Sequence, residues 1–138
     1  MDTTWYAVNE ALMNKAKNAR LFAMVAMILS GIYLIEGILS IVLQLIPIPF
    51  LGLIFFFMSL VIEFVLVVAI IVFTIMALVN IVSVEKSLKT VLDSDEKEKV
   101  KSINNLAKIF VIVAIVVTFL VFIPISLLNI VELFLSIF

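Results

Sequence analysis

The chain has 138 residues, of which 66% are hydrophobic and 14% charged, with a net charge of −1 and a mean hydropathy of +1.41. Soluble domains are about half apolar and about one quarter charged, and so small a fold could not hide this much apolar surface from water, so composition predicts an all-α integral membrane protein. The absence of Cys and His excludes disulfides, thiolate or imidazole metal sites and Ser-His-Asp catalysis, and no basic field attracts nucleic acid, so no cofactor or metal is predicted.

The first twenty residues, 1–20, predict an amphipathic helix on the cytoplasmic side. Apolar residues from Trp5 to Ala19 fall on one helical face, and basic residues lie on the other. This pattern is typical of a helix on the membrane surface, and a helix packed on the cytoplasmic ends of the spans remains an equal alternative. The predicted interfacial anchors are Trp5, Lys15, Lys17 and Arg20, with Lys108 at the start of the third span. No cleavable signal peptide is expected.

Three apolar runs predict three long transmembrane helices, over 21–46, 50–84 and 106–123. Each is long enough to cross a hydrocarbon core of about 30 Å. The first two are separated by the sequence PIP at 47–49, where prolines disfavour helix and predict a turn. The charged segment 85–105 predicts a helical hairpin connector, with a new helix starting near Asp93.

The end of the chain, 124–138, is predicted to leave the third span. Pro124 is expected to kink or break that helix. The residues after it are too few for an upright span, and their polar side chains fall on one helical face. These are Ser126, Asn129, Glu132 and Ser136. We therefore expect a short amphipathic helix at the outer interface.

The basic residues predict the orientation. All nine lie in two clusters, one at 15–20 and one at 86–108, and two predicted crossings separate the clusters. The positive-inside rule places both on the cytoplasmic side. We expect a multi-pass protein of the cell membrane, with the N-terminus and the 85–105 loop cytoplasmic and the C-terminus outside. Because acids and lysines nearly cancel in DSDEKEKVK, that loop is interpreted as a solvated connector and not as a lipid-headgroup site.

A stripe of small and polar residues marks one face of the first span and comprises Ala19, Ala23, Ala26, Ser30, Tyr33, Gly37, Ser40 and Gln44. Its spacings alternate between four and three, the period of left-handed helix packing, and small residues let helices approach closely in lipid. The predicted helix-packing face comprises Ala23, Ala26, Ser30, Gly37 and Ser40, with Ser59 from the second span. We expect these faces to meet inside a compact bundle.

Glu36 and Glu63 are the unusual residues of the spans. Neither of the first two spans contains Lys or Arg to pair with them, and a charged acid at mid-membrane costs about 2.5–3.5 kcal/mol on insertion scales. Both lie about 18–21 Å of helix from the PIP turn, so we expect them at one depth. Two close carboxylates cannot both ionise cheaply, so at least one should hold or share a proton. With Gln44 they form a possible proton or cation site.

Three functional hypotheses stay open. The favoured one is a structural or interaction subunit of a homo-oligomer or larger membrane complex, without catalytic machinery, because most polar residues at span interfaces serve packing. The alternative is a proton- or cation-handling channel or transporter subunit that uses Glu36 and Glu63, because intramembrane acids often mark transport pathways. A further alternative is a helical-hairpin building block of a membrane-derived filament or envelope. An intramembrane enzyme is not expected, since no serine or aspartate has a partner base.

Overall fold

The protein folds as three antiparallel helices in a computed structural model that describes residues 10–44, 49–90 and 95–137. Helix α1 runs over Glu10–Gln44, α2 over Pro49–Leu88 and α3 over Asp95–Ile137. An α-helix satisfies most of its backbone N–H and C=O groups internally, as the membrane interior requires. All three are long and apolar enough to cross a membrane, which confirms the predicted all-helical class with three long helices.

The helix boundaries follow local chemistry. α2 begins at Pro49, and proline is favoured at the first helical position because its missing N–H would have no helical partner there. α2 ends at Leu88, followed by a turn in which Thr90 N donates to Ser87 O over 3.2 Å. α3 then begins with Asp95, Glu96 and Glu98 in its first turn, where acids interact favourably with the helix dipole.

Helix α1 is the central element of the bundle. It packs extensively against both other helices, whereas α2 and α3 contact each other less. Its stripe is buried from Ala19 through Ala23, Ala26 and Ser30 to Tyr33. Only about a fifth of the most apolar window of each helix is buried inside the bundle, 22%, 17% and 17% in chain order. Most apolar side chains therefore face outward, as expected for a protein solvated by lipid.

The core consists of three successive layers along the bundle. At the end where the lysines lie, Leu12 and Ala16 pack with Val84 and Val100. The middle layer is rich in alanine and joins Ala19, Ala23, Ala77, Ile81, Ala107 and Val111. Tyr33, Ile70 and Val121 form the third layer, towards the end of α1. Every layer combines residues from all three helices, so each helix is held along most of its length.

A separate N-terminal amphipathic helix is not supported. Residues 10–20 belong to α1 without interruption, and Leu12 and Ala16 are buried in the bundle. The two alternatives for this segment are a helix on the membrane surface and a helix packed on the ends of the spans. The burial of Leu12 and Ala16 matches the second. Trp5 and the rest of 1–9 lie outside the described residues.

The predicted break at Pro124 is wrong, and the alternative, a kink at that residue, is not supported. α3 contains Pro124 and continues as one helix to Ile137, so 125–137 is not a separate surface helix. A proline inside a membrane helix is tolerated because neighbouring helices and local adjustment satisfy the freed backbone groups. Glu132, in this last part of α3, is exposed.

Candidate intramembrane acid site

Four side chains from α1 and α2 meet at one serine hydroxyl, and we call them the Ser59 cluster. Ser59 Oγ lies 2.6 Å from Glu36 Oε1, 3.0 Å from Ser40 Oγ and 3.3 Å from Glu63 Oε1. Glu63 is buried, and the other three side chains are half-buried. The cluster therefore joins the two predicted intramembrane acids through a hydroxyl that lies between their helices.

The helical register explains why these side chains meet. Glu36 and Ser40 are four residues apart on α1, and Ser59 and Glu63 are four apart on α2. Residues at this spacing lie on one helix face, one turn apart. Because α1 and α2 are antiparallel, the two pairs face each other at one level. The structure thus places both glutamates at the same level of the bundle.

The supply of hydrogens in the cluster is limited. Ser59 and Ser40 each carry one hydroxyl hydrogen, and an ionised carboxylate only accepts hydrogen bonds. Ser59 can donate fully to one neighbour, and the shortest distance assigns that hydrogen to Glu36 Oε1. Glu63 then has a good hydrogen bond to Ser59 only if the carboxyl pair supplies a further hydrogen. The geometry therefore suits a pair that holds a proton better than a fully ionised pair.

One carboxyl oxygen of the cluster differs from the others in its hydrogen bonding. Glu36 Oε2 is buried and has no hydrogen-bond partner among the described residues. Leaving a buried polar atom unsatisfied costs about 1–3 kcal/mol, and more for a charged group. A narrow cleft of about 10 Å³ adjoins the cluster and is lined by Ser40, Ser59, Glu63 and Asn129. This volume is close to that of one water-sized probe, so the site has room for a single water or a small cation.

Asn129 is a member of this site that the sequence analysis missed. Its amide lines the same cleft as Glu63, although the expected break at Pro124 assigned it to the outer interface. The uninterrupted α3 brings it back beside α1 and α2. Val121 and Ile125 lie against Gly37, and Asn129 follows them at four-residue intervals on the same face of α3, which carries it to the cleft.

The other residues of the predicted polar site and packing face take different positions. Ala23 and Ala26 are fully buried, and buried Ser30 Oγ donates to Met27 O over 2.6 Å. Gly37 is buried against α3, where an added Cβ would lie 2.8 Å from Ile125 Cδ1. Gln44 is the last residue of α1, and its side chain lies outside the described part of the structure.

Two of the predicted anchors form contacts within the protein. Lys15 Nζ donates to Ser83 Oγ over 2.9 Å, and Lys108 forms an ion pair with Glu85. Lys17 is exposed and Arg20 half-buried, while Trp5 is outside the described residues. Lys15 and Lys108 thus also link α1 and α3 to α2 at the lysine-rich end.

The class defined by these features is an all-helical bundle with three helices long and apolar enough for a membrane, which is consistent with a multi-pass membrane protein. The chain matches no protein-family model, no curated protein and no solved structure.

Proposed function

We propose that this protein is a small multi-pass cell-membrane protein that acts as a structural or interaction subunit of a homo-oligomer or larger membrane complex, without catalytic machinery. The observation that carries the proposal is the Ser59 cluster. Its carboxyl groups meet one hydroxyl between two helices, the arrangement by which polar groups hold helices together in lipid. In this account the acids share a proton and act as hydrogen-bonding groups.

The geometry of α1 supports the same proposal. α1 contacts both neighbours through small side chains, and its stripe is buried from Ala19 to Gly37. Along the apolar stretches of the three helices, many large apolar side chains are exposed. A three-helix unit with such a surface is suited to assembly with other membrane helices through further close packing.

Purification at native abundance in a mild detergent, with cross-linking before extraction, tests the subunit proposal. We expect a stoichiometric membrane partner or a defined homo-oligomer. Glu63→Gln should leave that assembly intact, because the amide keeps the shape and the hydrogen-bonding capacity of the acid. Recovery of the cross-linked wild-type protein as a monomer without partners would contradict the proposal.

A second function, proton or cation handling, is favoured by one specific observation. Glu36 Oε2 is buried without a partner among the described residues, and the adjoining cleft offers oxygen atoms from Ser59, Glu63 and Asn129. Such a site would take a proton or one small cation. In reconstituted vesicles, this function predicts flux that Glu63→Gln abolishes and Glu132→Gln preserves, since Glu132 is exposed. Equal flux in both variants would exclude the site.

The orientation is part of the proposal. Both basic clusters lie at one end of the bundle, where Lys15 contacts Ser83 and Lys108 pairs with Glu85. The positive-inside rule makes this end cytoplasmic and places the C-terminus outside. A cysteine at Ser87 should react with an impermeant thiol reagent only from the cytoplasmic side, and one at Ile48 only from outside. Labelling of both from one side would contradict this topology.

A further inference from the structure

Two clefts follow one another along the seam between α2 and α3. The first, which we call the lysine cleft, has a volume of about 400 Å³, and its lining includes Glu85, Lys89, Lys97, Lys101, Asn104 and Lys108. The second, the apolar groove, measures about 310 Å³ and is lined by residues that include Ile71, Ile75, Ile115, Phe119 and Phe122. Neither lining includes a residue of α1. Both therefore lie on the side of the seam away from α1.

The lysine cleft is strongly basic although the segment that builds it is nearly neutral. Lys97, Lys101 and Lys108 follow helical spacing and share one face of α3, and Lys89 adds a charge from α2. The acids of the first turn of α3, Asp95, Glu96 and Glu98, do not line the cleft. Lysines outnumber acids four to one in the lining. Helix geometry thus separates charges that cancel in the sequence, and the cleft suits an anion.

A buried amide adds a second polar feature to the lysine cleft. Asn104 is only 2% exposed and belongs to the lining. Its Oδ1 is buried without a hydrogen-bond partner among the described residues, and its Nδ2 lies 3.5 Å from Ile81 O. An amide can accept a hydrogen bond from a ligand hydroxyl as well as donate one. The cleft therefore suits a ligand that carries both a phosphate and hydroxyl groups.

The two clefts lie on one continuous surface. On α2, Ile75, Leu78, Val82 and Glu85 are spaced by three and four residues, and on α3 the same spacing links Lys108, Ile112 and Ile115. This spacing keeps residues on one helical face. Leu78, Val82 and Ile112 are exposed.

The length of this surface matches one leaflet. From Glu85 to Ile75 is about 15 Å of helix, and half of the hydrocarbon core is also about 15 Å. An acyl chain that starts at the lysine cleft would therefore reach the apolar groove.

We propose that this seam binds one anionic phospholipid of the leaflet at the lysine-rich end. The lipid phosphate lies among Lys89, Lys97, Lys101 and Lys108, a headgroup hydroxyl donates to Asn104, and one acyl chain runs along the apolar groove. Basic pockets between membrane helices recognise anionic headgroups through these interactions. The proposal goes beyond the role of the Ser59 cluster, which lies at the other end of the bundle.

The test is a titration of the full-length protein in neutral detergent, followed by native mass spectrometry. Phosphatidylglycerol should bind with one lipid per chain and about tenfold or more tighter than phosphatidylcholine with the same acyl chains. Lys89→Gln/Lys101→Gln should weaken phosphatidylglycerol binding about 30-fold, since each lysine near an anionic headgroup contributes roughly fivefold. The matched control is Lys86→Gln/Lys99→Gln, which removes the same charge from exposed positions of the same two helices and should change binding less than about threefold.

Equal weakening in the two double variants would overturn the proposal, because binding would then follow net charge and not the cleft. A second arm separates the lipid from its soluble headgroup. Glycerol phosphate, which has the phosphate and the hydroxyls but no acyl chain, should bind far more weakly than phosphatidylglycerol. If glycerol phosphate bound as tightly, the groove would contribute nothing and the assignment to a lipid would be wrong.

Discussion

The two halves of the bundle hold their helices together by different means. Near the lysine-rich end, α1 meets its neighbours through alanines, with Ala19 and Ala23 packed against Ala77 and Ala107. Towards the end of α1 and the start of α2, the two helices meet through the hydroxyl and carboxyl groups of the Ser59 cluster. The alanine layer buries no polar atom of its own side chains. The Ser59 cluster holds two acids between the helices, buried Glu63 and half-buried Glu36, and leaves Glu36 Oε2 without a hydrogen-bond partner among the described residues.

This comparison distinguishes the side chains that close helix packing requires from the polar side chains that it does not require. The alanine layer demonstrates that this chain can bring helices together by small and apolar side chains without polar ones, as small residues allow in lipid. Two acids in the other half therefore exceed the requirement for close approach. Either they provide orientation and specificity that alanines cannot, or they serve a proton or cation. The following variants test the two halves separately.

The largest loss of stability is expected from a substitution in the alanine layer. Ala23→Leu adds a bulky side chain at a fully buried contact, and such overpacking is expected to cost free energy at the upper end of about 1–3 kcal/mol. The matched control, Ala11→Leu, makes the same change at an exposed position of α1 and should be nearly neutral. Thermal unfolding in detergent, followed by circular dichroism, measures both. Equal shifts in melting temperature for Ala23→Leu and Ala11→Leu would mean that this layer is not closely packed.

A smaller loss of stability is expected from a substitution in the Ser59 cluster. Glu63→Leu removes a hydrogen-bonding partner and leaves Ser59 and Glu36 less satisfied, at a cost of about 2 kcal/mol. Glu63→Gln keeps the size of the side chain and its capacity to donate a hydrogen bond, so its melting temperature should be close to that of wild type. The same unfolding measurement compares them. If Leu were tolerated as well as Gln, the cluster would not contribute to helix association.

The border between the halves can be tested at two glycines of α1. An added Cβ at Gly37 would lie 2.8 Å from Ile125 Cδ1 and 3.1 Å from Val121 Cγ1, whereas one at Gly31 would meet nothing within 4 Å. Gly37→Ala should therefore be less stable than Gly31→Ala by about 1 kcal/mol. Both variants gain the same helix propensity, so their difference isolates the contact with α3. A Gly31 variant that is the less stable of the two would reverse this assignment.

The smallest effect is expected outside both halves, at the ion pair of Lys108 and Glu85. Both side chains are about two-fifths exposed, 41% and 43%, and exposed pairs contribute about 0–1 kcal/mol. A double-mutant cycle with Lys108→Gln and Glu85→Gln in neutral detergent should give a coupling below about 0.5 kcal/mol that falls as salt is added. A large coupling that is independent of salt would show that this pair, and not the two halves, anchors α3.

Much of this architecture could be predicted from residue spacing. The alternation of four and three from Ala19 to Ser40 indicated the buried face of α1, because helical periodicity maps directly onto a face. The prediction that Glu36 and Glu63 lie at one level followed from counting the residues between each of them and the PIP sequence. Both features depend on one or two helices with regular geometry, so the sequence contains the information needed.

Other features could not be predicted because they depend on tertiary context. Pro124 ends a helix on local grounds, yet α3 continues through it, and so Asn129 reaches the cleft beside Glu63. The connector is neutral when its charges are summed, yet the helices that flank it place Lys89, Lys101 and Lys108 in one cleft. In the first case the decisive fact is that α3 stays helical through Pro124, and in the second it is which residues of α2 and α3 face each other across their seam.

Infrared spectroscopy of the carboxyl stretch in lipid bilayers at neutral pH tests the central claim, that Glu36 and Glu63 share a proton at the Ser59 hydroxyl. The wild-type protein, Glu36→Gln/Glu63→Gln and the control Glu132→Gln are compared. We expect a protonated-carboxyl band in wild type and in the control, and its loss in the double variant. The account is contradicted if wild type and the double variant give the same spectrum in that region, because both acids would then be ionised and the site would need a bound cation.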